Sequence, residues 1–566
     1  MKRFSRDARL RAAAWATVLP AALLPLRNPD LFWHLRAGEW MIAHRALPRV
    51  DSFSFTEVGK PWVDFEWLSE LIFAAARRLA GPAGLWALKA ALVAAVVLAL
   101  ARAMRRAGAD ATARALLVSL WSAGAILYAD LRPDLFSLLG LALVLGEIAG
   151  PPRDLGARAL AVAFAGFALW ASLHAGFAFG LAAFALAAAV RAVGGRRAEA
   201  RRLSALAAAG LAGTLATPYG LGPYRVLLSH AASAADLSRY ILEWRPIALR
   251  HPLEWLFWLK LAVVAGACAA AARARRADFR WETAAVALAL GAAAQRHGRL
   301  ISYFDEGFVV FAAAWCAGAR ARLARRTRAA ATAWLALAAA FLFWFCRQLA
   351  WTAPVDGALV VPSAARFLDE NRPVFEGLRT LNRWEWGGYL SWRLRPWYRV
   401  YMDGRYLFHS RLARLEQAEA SPEGWQSLLD AERLDAVVFK SLDVWRLDVH
   451  PEDPKPGLPR PWYVDYFPSR EWALVYWDEK SLIFVRRGRV PADWLSAHDY
   501  RWLLPKDGPT FSENLRLGKI PPARLQSEID RHRRETQPPA PLWRATQRAP
   551  DAGVSSTALP QSRSER

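Results

Sequence analysis

Acidic and imidazole side chains with candidate catalytic roles occur in a polar segment near the start of the chain, residues 27–81. Asp30 lies four positions after the end of the first apolar segment, and His34 comes four positions later, which places both on one face of a helix. A carboxylate at a membrane edge is partly desolvated and keeps its proton to a higher pH, a property that suits a general base. The alternative is that Asp30 only caps a helix that begins after Pro29.

Two further carboxylates, Asp64 and Glu66, lie towards the other end of this segment and are the second candidate acidic group. Their alternative role is structural, because Asp64 would cap the next helix and the helix dipole would favour Glu66 in its first turn. The segment also contains tryptophans that either stack on a sugar ring or form the aromatic belt of a membrane interface: Trp33, Trp40, Trp62 and Trp67.

Cationic side chains elsewhere have the chemistry to hold a phosphate, because a guanidinium donates parallel hydrogen bonds and stays charged. Arg132 stands at the start of a predicted helix, and Arg296, His297 and Arg299 cluster at the end of an apolar segment. Snorkelling of these arginines to lipid headgroups is the alternative. His174, at a corner between two apolar segments, is either a site residue or a structural one.

The elements that position these residues follow from the composition. The chain has 566 residues, of which 55% are hydrophobic and 22% charged, and long apolar runs alternate with short arginine-rich loops as far as about Trp351. This pattern excludes a soluble enzyme, a secreted disulfide scaffold and a disordered chain. The formal net charge of +24 does not indicate nucleic acid, because the arginines lie where the positive-inside rule places them.

We therefore predict a polytopic α-helical membrane protein with about eleven transmembrane helices. The apolar run 159–190 is too long for one span, so we divide it around His174 and Gly176. With this division the arginine clusters lie on the side of the N-terminus, which we expect to be cytoplasmic. The predicted spans are 12–26, 82–101, 115–129, 134–149, 159–173, 175–190, 203–217, 253–271, 281–295, 301–317 and 329–350.

Beyond the membrane domain, 1–351, we predict an external α/β domain over 352–490. A buried strand at Ala436–Lys440 and a hairpin of 473–477 with 481–486 support it. An extension over 491–534 and a tail over 535–566 follow, and the tail's polar composition predicts disorder.

The order of these segments resembles the GT-C superfamily of membrane glycosyltransferases, and within it a large group of bacterial glycosyltransferase-like proteins. The matching segments run from about residue 30 to 405 and read DLFWHLRAGEWMIAHRALPRVDSFSF, WVDFEWLSELIF, LRPDLFSLLGLAL, LWASLHAGFAFG, ATPYGLGPYRVLLS, WEWGGYLSWRL and VYMDGR. High alanine and arginine usage is typical of bacteria with GC-rich genomes. We therefore expect the protein in a bacterial inner membrane, with its outer face in the periplasm.

The resemblance implies transfer of a sugar from a polyprenyl-phosphate carrier to an extracytoplasmic glycan, lipid or protein. Asp30 would be the base or a metal-contacting carboxylate, with Asp64 or Glu66 as the second acidic residue. Members of the superfamily often carry an adjacent acidic pair, whereas Leu31 follows Asp30 here. The implied cofactor is accordingly either none or a divalent cation, Mg²⁺ or Mn²⁺.

The resemblance also assigns the remaining candidates. Arg132 and the pair Arg296 and Arg299 would neutralise the lipid phosphate. In the outer domain Trp386, Asp403 and Arg405 would shape the acceptor cleft. Their alternative roles are a close strand approach at the adjacent glycine pair and a turn with an ion pair.

Two other classes of protein remain open. A non-catalytic scaffold or lipid-binding component of envelope-polysaccharide assembly would have the same membrane topology. A polysaccharide polymerase or ligase usually carries its large external loop between late spans, whereas here the polar mass lies in residues 27–81 and after 351. A transporter is disfavoured, since no two-fold internal repeat is visible.

Overall fold

The chain folds, in a computed structural model, into a bundle of helices joined to an α/β part near its C-terminal end. The structure describes residues 6–125, 128–250, 252–318, 325–348, 357, 360–442, 445–446 and 454–536.

Helices form the first part of the chain, and each of the eleven predicted apolar segments coincides with one of them. These helices are α1 (Arg6–Leu23), α2 (Leu31–His44), α3 (Trp67–Arg106), α4 (Ala111–Ala125), α5 (Asp134–Ala149), α6 (Ala157–Leu173), α7 (Phe177–Val193), α8 (Arg197–Thr214), α9 (Gly222–Tyr240), α10 (Pro252–Arg273), α11 (Trp281–Arg296), α12 (Ile301–Gly318) and α13 (Arg325–Gln348). The predicted break between the two halves of 159–190 is confirmed, because α6 ends at Leu173 and α7 begins at Phe177.

Membrane crossing is clearest for part of this bundle. Within the described residues, three helical stretches are long and apolar enough to cross a bilayer by length and composition: Trp67–Arg106, Glu254–Arg273 and Gly298–Ala317. A helical membrane fold is therefore confirmed, and the number of about eleven spans stays a prediction. Shorter apolar helices such as Ala157–Leu173 and Phe177–Val193 pack with these stretches in the same bundle.

Helix α3 joins the polar segment to the membrane. It has 40 residues, but Ala80 and Gly81 have non-helical backbone angles, and Pro82 follows them. Proline lacks the N–H that would continue the helix, and Gly81 has a φ of 58°, which glycine adopts without strain. The part before the kink belongs to the predicted external segment, and the part after it begins where a span is predicted.

The C-terminal end of α5 is stabilised from three directions. Guanidinium groups of Arg106, Arg191 and Arg280 each donate a hydrogen bond to a carbonyl oxygen near that end. These carbonyls have no partner inside the helix, so the arginines satisfy them. The opposite end of α5 begins at Asp134, beside the site described below.

The second part of the chain combines short helices with a small sheet. Its elements are α14 (Pro362–Glu370), α15 (Arg372–Phe375), β1 (Thr380–Asn382), α16 (Trp384–Arg393), α17 (His409–Glu419), α18 (Pro422–Ala431), β2 (Ala436–Lys440), β3 (Trp445–Arg446), β4 (Arg460–Pro461), α19 (Tyr463–Tyr466), β5 (Trp472–Trp477), β6 (Ser481–Arg486), α20 (Ala492–His498), α21 (Gly508–Arg516) and α22 (Pro522–Thr536).

The four-stranded sheet has the order β1-β2-β6-β5. Strand β2 is parallel to β1 and antiparallel to β6, and β5 and β6 form the predicted hairpin, with Ala473 opposite Val485. The predicted strand at Ala436–Lys440 is also confirmed, whereas β1, with three residues, is too short to leave a pattern in the sequence. Helix α22 extends to Thr536, two residues into the predicted tail. The remainder of the tail, from 537, lies outside the described residues.

The first polar segment and the outer part form a continuous structure. Ser54 pairs with Val400 in a parallel β-bridge. The Phe55 N–H donates to the Val400 carbonyl at 3.1 Å, and the Val400 N–H donates to the Phe53 carbonyl at 3.0 Å. Backbone pairing therefore fixes the outer part against the polar segment, and the site lies where they meet.

Candidate active site

A cavity of about 380 Å³ lies between the first polar segment, the helix ends of the bundle and the outer part. Nine of the twelve residues predicted from the sequence line it, and Arg296, Trp386 and Asp403 do not. Its charged and histidine lining residues are Asp30, His34, Asp64, Glu66, Arg132, Asp134, His174, His230, Glu243, His297, Arg299, Arg405 and His409.

Asp30 precedes α2, but its carboxylate makes no capping hydrogen bond. The capping alternative is therefore wrong for the side chain, which lines the cavity instead. The Asp30 carbonyl accepts the His34 N–H at 3.1 Å, so the predicted helical spacing of the two residues is confirmed. Burial raises the pKa of Asp30 above its ordinary value, and the positive charge of Arg132 opposes this rise.

Gly404, in the outer part, leaves the space that the Asp30 carboxylate occupies, because glycine has no Cβ. A Cβ atom at Gly404 would overlap Asp30 Oδ1 and would lie 2.8 Å from Trp33 Nε1. A side chain at this position would thus displace the carboxylate or the indole. The glycine of the VYMDGR segment is therefore explained by a close approach across two distant parts of the chain.

Arg132 is held by two carboxylates. Its Nη1 and Nη2 atoms donate to Glu243 Oε2 and Oε1, each at 2.7 Å, and Nη2 lies 3.6 Å from Asp30 Oδ2. Burial alone would raise the pKa of Glu243, but the charge and hydrogen bonds of Arg132 outweigh it and lower this pKa to about 2. The guanidinium is therefore oriented by Glu243 and presents one edge to Asp30.

Arg299 is the cation of the cavity that remains available. It lines the cavity, and within the part of the chain that the structure describes it forms no ion pair. Its predicted partner Arg296 is exposed and lies outside the cavity. The predicted arginine pair is thus separated because consecutive turns at the end of α11 point in different directions, and His297 lines the cavity beside Trp244, with ring centroids 5.6 Å apart.

His34 connects α2 to α3 at the edge of the cavity. Its Nδ1 atom is 3.0 Å from Glu70 Oε1, and the centroid of its ring lies 3.7 Å from that of Trp33, with the two rings tilted by 35°. Burial, followed by the charge of Arg132, lowers the pKa of His34 well below its ordinary value, so the imidazole is neutral. Asp64 is buried nearby, and burial raises its pKa as well.

Asp64 lies two positions before the N-cap residue of α3, so it is not itself the N-cap residue. Helix α3 begins at Trp67, and its N-cap residue, Glu66, makes no side-chain capping hydrogen bond. Both Asp64 and Glu66 instead line the cavity.

Glu66 lies beside the His174 imidazole, and the hydrogen bonds of that ring define its tautomer. His174 Nδ1 accepts the Gly176 N–H at 3.1 Å and lies 2.7 Å from Ser137 Oγ. Because Nδ1 is an acceptor, the proton of the neutral ring is on Nε2, which lies 3.6 Å from Glu66 Oε1. Burial lowers the pKa of His174 to about 4, and burial raises the pKa of Glu66 to about 8.

Asp134 completes this second polar group. Its Oδ1 atom accepts a hydrogen bond from the Tyr303 hydroxyl and lies 3.9 Å from His174 Nδ1. The cavity thus has two centres, Asp30 with Arg132 and Glu66 with His174. Nearby carboxylates, Asp30 and Asp134 among them, further raise the pKa of Glu66.

Arg405 connects the outer part to the first polar segment through buried ion pairs. Its Nη1 donates to Asp51 Oδ1 at 2.6 Å and its Nε donates to Asp403 Oδ1 at 2.9 Å. The guanidinium carbon lies 4.7 Å from the centre of the Trp62 ring. The predicted ion pair of Arg405 with Asp403 is confirmed, and the same guanidinium joins the outer part to the first polar segment.

Trp386 is buried in the core and does not reach the cavity. The glycine pair beside it does not support a strand, because it lies in α16. A Cβ on Gly387 would overlap the Met402 carbonyl oxygen, so the close approach is of a helix to a loop. Trp384 lines the cavity in place of Trp386.

Residues absent from the sequence predictions complete the cavity. Glu243, which orients Arg132, is flanked by Leu242 and Trp244 in an external segment, and a carboxylate in such an apolar setting was the available signal. Aromatic rings surround a histidine pair, His230 and His409, whose ring centroids are 5.1 Å apart. These two histidines lie on separate elements, α9 and α17, and only the tertiary structure brings them together.

The choice between no cofactor and a divalent cation stays a prediction. Within the described residues, no group of three or more His, Cys, Asp or Glu side chains could hold a metal ion. The charged neighbour of Asp30 is the guanidinium of Arg132, which repels a cation. We therefore derive no step through a metal.

The resemblance predicted from the sequence is confirmed at the level of the fold, because the helical bundle with its outer α/β part is similar to a solved structure of ArnT. The crystal structure of ArnT from Cupriavidus metallidurans in the apo state is similar, with a TM-score of 0.50 at 12% sequence identity, covering 84% of this chain and 96% of that chain.

A second crystal structure of the same ArnT, bound to undecaprenyl phosphate, has a TM-score of 0.49 at 14% identity, covering 84% of this chain and 97% of that chain. No protein-family profile matches the sequence. No curated protein matches it either.

Proposed function

We propose that the protein is a membrane glycosyltransferase that transfers a sugar from a polyprenyl-phosphate carrier to an extracytoplasmic glycan, lipid or protein. The proposal is supported mainly by one cavity of an ArnT-like fold, which brings together the Asp30 carboxylate, its neighbour Arg132 and Arg299, an arginine that forms no ion pair within the described residues. A base and a free cation in one cavity are what displacement of a phosphate from a sugar needs.

Asp30 is the base. Its carboxylate accepts the proton of the acceptor hydroxyl as that oxygen attacks the anomeric carbon. The bond from this carbon to the phosphate oxygen breaks, and the products are a glycosylated acceptor and the free polyprenyl phosphate. Arg132 favours the ionised form of Asp30, because its charge opposes the rise of the Asp30 pKa that burial causes, and Glu243 keeps Arg132 in place.

Arg299 binds the departing phosphate. Its guanidinium has no carboxylate partner among the described residues, whereas Arg132 and Arg405 are each held by carboxylates. A free guanidinium donates parallel hydrogen bonds to phosphate oxygens at a lower cost than one that must first leave a partner. Glu66, with a pKa raised by burial to about 8, is neutral near pH 7 and adds no negative charge beside the phosphate.

The distribution of arginines supports the orientation. Clusters such as 196–202 and 273–280 lie at the ends of helices away from the cavity. We propose that these ends face the cytoplasm and that the cavity and the outer part, from about residue 352, face the periplasm of a bacterial inner membrane.

The decisive experiment is sugar transfer in membranes that contain the wild type or Asp30→Asn. The donors are a panel of labelled polyprenyl-phosphate pentoses and hexoses. Turnover by the wild type that is lost in Asp30→Asn, at equal expression, supports the enzyme and its base. Equal turnover by both removes Asp30 from catalysis. Silence across the panel, together with retained binding of polyprenyl phosphate, favours the alternative of a lipid-binding component of envelope-polysaccharide assembly.

A further inference from the structure

A lysine side chain is fully buried in the membrane-spanning part of α3. Lys89 has 0% relative exposure. Its Nζ atom donates to the Leu24 carbonyl at 2.9 Å and lies 3.7 Å from Asp130 Oδ1. Charged side chains in a membrane helix are costly and persist where they have a partner and a role.

Asp130 joins this lysine to two loops. Its Oδ2 atom accepts the Arg27 N–H at 2.6 Å, and its Oδ1 atom accepts the Leu131 N–H at 2.7 Å. The Lys89–Asp130 pair therefore fastens the chain after α1 to the chain before α5. Both loops lead into the site.

The spacing from this pair to the site is short. Arg27 precedes Asp30 by three residues, and Leu131 immediately precedes Arg132. Asp30 and Arg132 come within 3.6 Å of each other. An error of about 1 Å in such a contact lowers turnover by roughly 100-fold.

We propose that Lys89 and Asp130 are positioning residues that hold Asp30 and Arg132 in register. Neither side chain lines the cavity, so they act through the two loops and do not contact substrate. The kinetic consequence rests on the proposed function. The structural consequence does not, because it concerns the order of the two loops in the protein without substrate.

The chain offers a matched control of the same chemistry. Lys260 on α10 donates to Asp305 on α12 at 2.7 Å, and both side chains are buried in the bundle. Asp305 Oδ2 accepts no hydrogen bond within the described part of the chain, so this pair is not hydrogen-bonded to either loop, although it lines a neighbouring cavity together with Tyr128 and Glu243. Lys260→Met removes a buried membrane ammonium as Lys89→Met does, without touching the loops that carry Asp30.

The first measurement is hydrogen–deuterium exchange of purified full-length protein in detergent. In Lys89→Met we expect faster exchange in peptides that cover residues 24–36 and 128–136, because the Arg27 and Leu131 amides lose a fixed acceptor. Lys260→Met should leave these peptides unchanged. Unchanged exchange in Lys89→Met, or the same increase in both variants, would overturn the proposal whether or not a sugar donor is known.

The second measurement is kinetic, with the donor that the wild type turns over. We expect Lys89→Met to lower kcat by about 10- to 100-fold with the donor KM within about 3-fold, and Lys260→Met to keep kcat within about 3-fold. The double variant Lys89→Met with Asp130→Asn should be no slower than the slower single variant, because residues that act as one unit are not additive. Fully additive losses, or equal losses in Lys89→Met and Lys260→Met, would contradict a positioning role.

Discussion

Arg132 shares its guanidinium between two carboxylates, but unequally: Glu243 accepts two hydrogen bonds at 2.7 Å, whereas Asp30 Oδ2 lies at 3.6 Å. The strong bidentate contact fixes the orientation of the arginine. The weaker contact leaves the Asp30 oxygens free to accept a proton while the positive charge remains close. One arginine thereby both orders the site and tunes its base.

The pH dependence of turnover should report this arrangement. Asp30 acts when ionised, so activity falls on the acid side with an apparent pKa above the ordinary aspartate value, because burial raises the pKa of Asp30. Arg132→Gln removes the charge that opposes the rise and should move the acid limb to higher pH.

Glu243→Gln removes a negative charge that raises the same pKa and should move the limb to lower pH. Profiles of kcat/KM for the three proteins check both directions. Shifts of the same sign in both variants would contradict the assignment of Asp30 as the base.

Arg299→Gln should weaken donor binding. Charge-assisted hydrogen bonds contribute about 1.5–3 kcal/mol, which corresponds to a rise of the donor KM or the Kd for polyprenyl phosphate of roughly 10- to 100-fold. Arg296→Gln is the matched control, since this neighbouring arginine is exposed and outside the cavity. Equal effects of the two substitutions would contradict a phosphate contact at Arg299.

Gly404→Ala should impair catalysis without unfolding the protein. The added Cβ would overlap Asp30 Oδ1 and crowd Trp33 Nε1, and a displacement of about 1 Å at the base lowers kcat by roughly 100-fold. Gly488→Ala, in the same part of the chain with no atom near the added Cβ, should be neutral. The measurement is kcat of the two variants, compared under conditions where their thermal stability is equal. Normal turnover by Gly404→Ala would show that Asp30 is not in its catalytic position here.

Arg405→Met should loosen the outer part from the first polar segment. Asp51 and Asp403 would remain as buried carboxylates without their cation, and breaking a buried ion pair costs about 3–5 kcal/mol. We expect a clear fall in the midpoint of thermal unfolding. Arg276→Met removes an exposed pair with Asp278 and should leave this midpoint unchanged. A stable Arg405→Met protein would mean that the backbone contacts at Val400 suffice alone.

Glu66→Gln should abolish the rise of the donor KM at alkaline pH. In the wild type, ionisation of Glu66 near its pKa of about 8 places a negative charge beside the phosphate site, so the donor KM should rise above that pH. Glutamine stays neutral, so the KM of the variant should not rise there. A rise that persists in Glu66→Gln would assign the titration to another group.

The helical bundle could be predicted because apolar runs record burial in lipid directly. The division at His174 followed from the length of one span, and it is found in the break between α6 and α7. Two carboxylates of the site, Asp30 and Glu66, could also be predicted, because they lie where apolar and polar sequence meet. Local spacing was enough for these features.

The partners of these residues could not be predicted in the same way. Glu243 is more than a hundred positions from Arg132, and the pairing depends on how the tertiary structure places the 3-10 turn Leu242–Trp244 beside Arg132. Arg296 and Arg299 looked like one cluster, but a change of backbone direction after α11 separates them. Such pairings are set by tertiary packing, which one sequence does not record.

The backbone bridge between Ser54 and Val400, described above as a contact, also constrains how this protein can change over evolution. One wall of the cavity, including Gly404, Tyr406 and His409, is supplied by the part of the chain that follows this bridge. Replacing that part with an unrelated domain would remove this wall of the cavity. The two halves should therefore diversify together, and a chimera that exchanges everything after residue 360 should lose activity even when both parents are active.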